Sequence, residues 1–197
     1  MNNTIYSDCV TYDYDAERRH REVIDAIQSC GVIPSSIIIN DFTFYFRELH
    51  VLDIGERNLL TEKIEKEFDI KVDNTSGDLD YEIITPKKKY DIIVCSHVIE
   101  HLMNPLLFLE NAKKLLADNG RMIIAYPIRF IKYEKHFHEI PERDMRIMLD
   151  KAGFEVVRWE TYKTDHPFPL GIRPILRILF DKNFVLVVKK LNNKQKE

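Results

Sequence analysis

Two hydrophobic rhythms alternate along the chain. Short, mostly apolar runs at residues 50–54 (HVLDI), 70–72, 90–95 (YDIIVC), 121–126 (RMIIAY), 154–162 and 184–191 predict strands. The unbroken run at 90–95 has the character of a central parallel strand covered on both faces. Between these runs, apolar residues recur every three or four positions, as in a helix with one buried stripe. A helix over 15–30 carries Val23, Ile24 and Ile27 on one stripe and stops at Gly31. A second covers 60–68. A third is capped by Asn104, has Pro105 in its first turn, buries Leu106, Leu109, Ala112, Leu115 and Leu116, and ends at Gly120. Glu110 and Lys114 stand one turn apart on its outer side. A fourth, 141–152, turns Met145, Met148 and Leu149 inward and ends at Gly153. Residues 35–46 fit strand and helix equally, residues 73–80 (DNTSGDLD) read as loop, and Pro127 is expected to stop the strand before it.

Strands alternating with helices imply an α/β, three-layer, mostly parallel sheet. Such sheets bind ligands outside the carboxyl ends of their strands, so chemistry is sought just after each apolar run. A single domain over 1–197 is expected, with 1–48 as a helical lead-in and 49–197 as the core.

Composition narrows the class. Of 197 residues, 45% are hydrophobic and 31% charged, as in an ordinary globule. The net charge of −3 lacks the basic excess of a nucleic-acid binder. Cys9, Cys30 and Cys95 form no CxxC pair, so neither a disulfide framework nor a zinc knuckle is indicated. The first residues (MNNTIYSDCVTYDYD) have no basic stretch leading into an apolar one. No apolar run reaches the ~20 residues of a membrane helix. A cytoplasmic setting without stable membrane insertion is the expectation.

Four strand ends carry a resemblance. They are VLDIG at 51–55, Asp73 after the second strand, the Gly77-Asp78-Leu79-Asp80 run, and YDIIVCSHVIEHLMNP at 90–105. Together they resemble the class I S-adenosylmethionine-dependent methyltransferases, small-molecule and quinone-type, with a Rossmann-like sheet whose last strand is antiparallel. Downstream, HFHEIPERDMRIMLDKAGF at 136–154 and the closing FVLVVKK are similar to the same family. The resemblance implies S-adenosylmethionine as cofactor and a small-molecule acceptor. It places Asp53 and Gly55 near the methionine end, Asp73 at the ribose, Asp78 and Leu79 at the adenine, and Ser96 and His97 beside the transferring methyl. A base, where one is needed, is His136, His138 or His101.

The chain also departs from that pattern. The family's GxGxG turn is replaced by Gly55-Glu56-Arg57-Asn58-Leu59, which leaves Arg57 either turned away or in the cofactor's space. Few residues separate the second strand from the acidic loop, and Ile140 stands where a Ser or Thr cap is usual. These departures favour the rival reading, a non-catalytic binding or scaffold domain. A nicotinamide oxidoreductase would need a GxGxxG turn that this chain lacks. His97 and His101 have the i, i+4 spacing of metal ligands, but Glu100 is expected to point elsewhere, so no metal is expected. Tyr126 is either pocket or lining, and Lys87-Lys88-Lys89 is a solvated loop. The apolar segment 166–180, with Arg173 and Arg177, is open among a lid, a homodimer contact and a lipid-surface helix.

Overall fold

The computed structural model describes residues 4–32, 37–39, 42–44, 49–83, 86–129, 136–163, 175–176 and 179–191, with side chains from residue 16 onward except in 37–39 and 42–44. Among the described residues, the helices α1 (Thr4–Ser29), α2 (Leu59–Phe68), α3 (Pro105–Leu115) and α4 (Glu142–Ala152) accompany the sheet. The strands are β1 (Ile37–Ile39), β2 (Phe42–Phe44), β3 (Val51–Asp53), β4 (Val72–Asn74), β5 (Tyr90–Ser96), β6 (Leu116–Ile128), β7 (Phe154–Lys163) and β8 (Lys182–Lys190). β1 and β2 form a separate antiparallel pair, which settles part of the 35–46 ambiguity as strand.

The main sheet has the order β4-β3-β5-β6-β8-β7. β3, β4, β5 and β6 run parallel, and β8 is antiparallel to both its neighbours, as expected. Its two faces follow the period of two that a strand imposes. On one face Ile93, Cys95, Met122, Ile124 and Leu186 pack with Phe108 and Leu109 of α3 and Met145 and Leu149 of α4. On the other, Ile92, Val94, Ile123 and Val187 pack with Val23 and Ile27 of α1 and Leu60 and Ile64 of α2. The result is three layers. The chain leaves β3 toward β4 on one side and returns to β5 on the other. The switch point therefore lies between the carboxyl ends of β3 and β5.

Several boundaries differ from the sequence reading. α1 begins at Thr4 rather than Asp15, and no glycine or proline interrupts that stretch. β4 covers Val72–Asn74 rather than 70–72, because the polar pair Asp73 and Asn74 continues the ladder opposite Leu52 and Asp53. α3 ends at Leu115, and Gly120 lies within β6. A Cβ at Gly120 would stand 3.0 Å from the Asp91 carbonyl oxygen and 2.9 Å from Leu116 Cδ1, so glycine serves close backbone approach rather than a helix stop. Pro127 lies inside β6, opposite Asn183, rather than ending it. Gly153 does cap α4, at φ 80°. At the other end of α4, Pro141 is the N-cap and no side chain bonds to the first turn. Glu142 and Asp144 there favour the positive end of the helix dipole instead.

Candidate active site at the switch point

Asp53 closes β3 with its side chain turned inward. It is 1% exposed. Its Oδ2 accepts from Thr61 Oγ1 at 2.6 Å and from Asn58 Nδ2 at 3.5 Å. Asn58 and Thr61 form a reciprocal capping box at the start of α2. Asn74 of β4 joins them, donating to the Asp53 carbonyl oxygen, the Gly55 carbonyl oxygen and Thr61 Oγ1. The Gly55 amide donates to Thr75 Oγ1 at 2.7 Å. Side chains from α2 and from the β4 end thus hold the backbone groups of the turn after β3. Burial pushes the Asp53 carboxyl up to about 6, against the pull of its Thr61 and Asn58 bonds.

Gly55 itself stands at φ 111°, and a Cβ built there meets none of the described residues within 4 Å. Arg57 does not enter this space toward the sheet. Its guanidinium forks onto both oxygens of Glu65 on α2. That bond, with a further one from the Val72 amide, holds the Glu65 carboxyl down to about 2.

Asp73 is partly exposed, and its Oδ2 receives Lys88 Nζ at 2.7 Å and the Tyr90 hydroxyl at 3.0 Å. Lys88 is therefore paired rather than merely solvated. Gly77, at φ 88°, opens the turn that carries Asp78. Asp78 Oδ1 accepts from the Asp80 amide, and Leu79 packs on the core beside α3. Asp80 in turn accepts from the Asn104 amide at the cap of α3.

At the end of β5, Ser96 is half-buried and His97 takes a left-handed φ of 55°. The His97 amide donates to the Ala125 carbonyl oxygen at 2.8 Å, which fixes that turn across to β6. Burial pushes the His97 imidazole below its usual value, and Glu100 opposes the shift. A single 3-10 turn, Ile99–His101, follows. In that geometry residues three apart eclipse one another. With the left-handed His97 ahead of this turn, Glu100 turns back toward His97, with Oε1 3.3 Å from His97 Nδ1, and does not point elsewhere as the sequence suggested. His101 Nε2 lies 3.9 Å from the same oxygen.

The downstream histidines separate. The His136 ring meets the His101 ring edge-on, centroids 4.9 Å apart, and its Nδ1 stands 3.4 Å from Glu139 Oε1. His138 instead lies with Nε2 3.4 Å from the Met103 carbonyl oxygen. Both are anchored by backbone: the Phe137 and His138 amides donate to the Glu100 carbonyl oxygen. Tyr126 is core rather than pocket, fully buried against Phe184 at 5.3 Å. Sequence reasoning missed the roles of Asn58, Thr61 and Asn74, and turned Glu100 the wrong way. The Asn-x-x-Thr spacing before α2 was the one available signal. Most of segment 166–180 lies outside the described residues. Among those described, no helix is long and apolar enough to cross a membrane.

The architecture and the sequence have counterparts. Residues 2–158 match the family model of the methyltransferase domain. A ubiquinone biosynthesis O-methyltransferase of Glaesserella parasuis is 32% identical over 91 residues, covering 46% of this chain and 33% of that enzyme. The match thus spans a third of that relative's length. Among solved structures, the N-methyltransferase NodS of Bradyrhizobium japonicum, in complex with S-adenosyl-L-homocysteine, superposes with a TM-score of 0.60 at 13% identity, covering 90% of this chain and 88% of that one. A SAM-dependent methyltransferase from Archaeoglobus fulgidus gives 0.55 at 13% identity, over 87% and 94%. With the switch-point turn, the reversed last strand and the family match over most of its length, the chain belongs to the class I S-adenosylmethionine-dependent methyltransferase family.

Proposed function

We propose that this chain transfers a methyl group from S-adenosylmethionine to a small-molecule acceptor. The observation that carries the reading is the open Gly55 turn at the sheet's switch point, where a Cβ built on Gly55 meets none of the described residues within 4 Å. Bound there, the cofactor supplies an electrophilic methyl on a sulfonium. The Gly55 turn admits the methionine end, with Asp53 supporting the turn from beneath. Asp73 serves the ribose with the oxygen not engaged by Lys88 and Tyr90. Asp78 and Leu79 take the adenine, one by hydrogen bond and one by packing. Ser96 and His97 flank the reacting methyl.

The acceptor atom bonds to the methyl carbon as the carbon–sulfur bond breaks, and the electron pair stays on sulfur. An oxygen acceptor must also lose its proton. His138 or the half-exposed His101 is placed by this reading to take it, with His136 behind. The rival scaffold reading rested on the altered Gly55-Glu56-Arg57-Asn58-Leu59 turn and the shortened acidic loop. The Arg57–Glu65 pair supports an open turn instead.

Isothermal titration with S-adenosylmethionine and S-adenosylhomocysteine tests the proposal. Micromolar binding is expected. Asp78→Ala is expected to weaken it about ten- to a hundredfold, the ~1.5–3 kcal/mol of one hydrogen bond to a charged group. No heat from a folded protein with either ligand would return the lead to the scaffold reading.

A further inference from the structure

We propose that Glu100, His101 and His136 bind a divalent first-row transition-metal ion of the zinc class. One ligand atom from each residue falls within a 4.8 Å envelope. Tetrahedral zinc with bonds of about 2.0–2.1 Å sets its ligand atoms about 3.4 Å apart. The 3.9 Å between His101 Nε2 and Glu100 Oε1 is already close to that, and small side-chain rotations close the rest.

The carboxylate supplies the second, independent argument. Glu100 is 1% exposed, and neither of its oxygens accepts a hydrogen bond among the described residues. His97 Nδ1 stands 3.3 Å from Oε1, at ion-pair distance, and Oε2 has no partner among the described residues. Buried carboxylates persist when they are paired or coordinate a metal, and an unsatisfied one calls for an ion or a proton.

The frame is built without the ion. The amides of Phe137 and His138 both donate to the Glu100 carbonyl oxygen, at 2.9 and 3.3 Å, which brings His136 from a distant segment to the 3-10 turn. Glu139 then flanks His136, and an ion held by Nε2 leaves Nδ1 facing that carboxylate. Ligating histidines are commonly oriented by such an outer carboxylate. Two imidazoles and one carboxylate suit zinc, cobalt, nickel or iron better than magnesium or calcium.

Three protein ligands leave a position open, as in catalytic rather than structural sites. Ion binding itself does not depend on methyl transfer. The role of the ion rests on the proposed function: it would hold an acceptor hydroxyl and lower its pKa, leaving His138 as the one histidine of the three free of ligation.

The test uses untagged full-length protein, stripped with a chelator and titrated with zinc chloride, and with cobalt(II) followed by its visible absorption. One ion per chain is expected, at micromolar affinity or tighter. Glu100→Gln, His101→Gln and His136→Gln should each weaken binding about a hundredfold, with far-ultraviolet circular dichroism unchanged. Should a buried variant unfold, His101→Gln, at a half-exposed position, still decides. Absence of a one-to-one site in the wild type overturns the proposal, and so does zinc affinity unchanged in His101→Gln. Titration with S-adenosylmethionine on the same stripped protein reads the cofactor site separately, so failure of one does not imply failure of the other.

Discussion

Alanine at Phe108 is expected to lower the free energy of unfolding by about 3–5 kcal/mol. Phe108 is wholly buried on α3, in the cluster that joins β5, β6 and α4. Truncation removes the transfer free energy of the ring and leaves a cavity that the sheet cannot follow, because strand spacing is set by backbone hydrogen bonds. Set against a total stability of ~5–15 kcal/mol, a loss of that size is a large fraction of what holds the fold. Urea denaturation with an unchanged slope would read it. A loss under about 1 kcal/mol would mean that α3 does not pack as described.

The second large effect is a pH dependence lodged in Asp53. Burial pushes its carboxyl from 3.8 up to about 6 in the fold. Between those values the native state binds a proton that the unfolded chain has released. Stability therefore falls as pH rises through that window, and the penalty is complete above about 6. At ~1.36 kcal/mol per unit, the loss from this group approaches about 3 kcal/mol. Asn at position 53 keeps an acceptor for Thr61 and carries no charge, so Asp53→Asn is expected to remove this component. Other groups titrate too, Glu65 in the opposite sense, so the quantity to measure is the difference between wild type and variant at pH 4 and at pH 7. Parallel stability–pH curves for the two proteins would refute the assignment.

These two residues show what kinds of information the chain carries locally. Phe108 was passed over in the helical stripe drawn through Leu106, Leu109 and Ala112. The stripe is wider than that drawing, and Phe108 is wholly buried beside Leu109. Asp53 is placed by the resemblance near the methionine end of the cofactor. Its direction depends on Thr61, eight residues on, and on Asn74, from another strand. Neither partner is visible as such in the motif. Glu100 was misdirected for a related reason. The segment after β5 was read with helical spacing, and one 3-10 turn with a left-handed His97 rotates the carboxylate back into the cluster.

Determined by the sequence alone were the alternation of strands and helices, the helix caps at Asn104 and Gly153, the reversed last strand carried by the resemblance, and the strand ends where a ligand site was sought. These follow from periodicity and from residues with restricted backbone choices, which act over a few positions. The tertiary structure alone decided that Gly120 serves close approach rather than a helix stop, that Asp53 faces a polar network, and that His136 meets Glu100 and His101. Each depends on atoms that come together only when distant segments pack, where a hydrogen bond or a burial penalty outweighs any local preference.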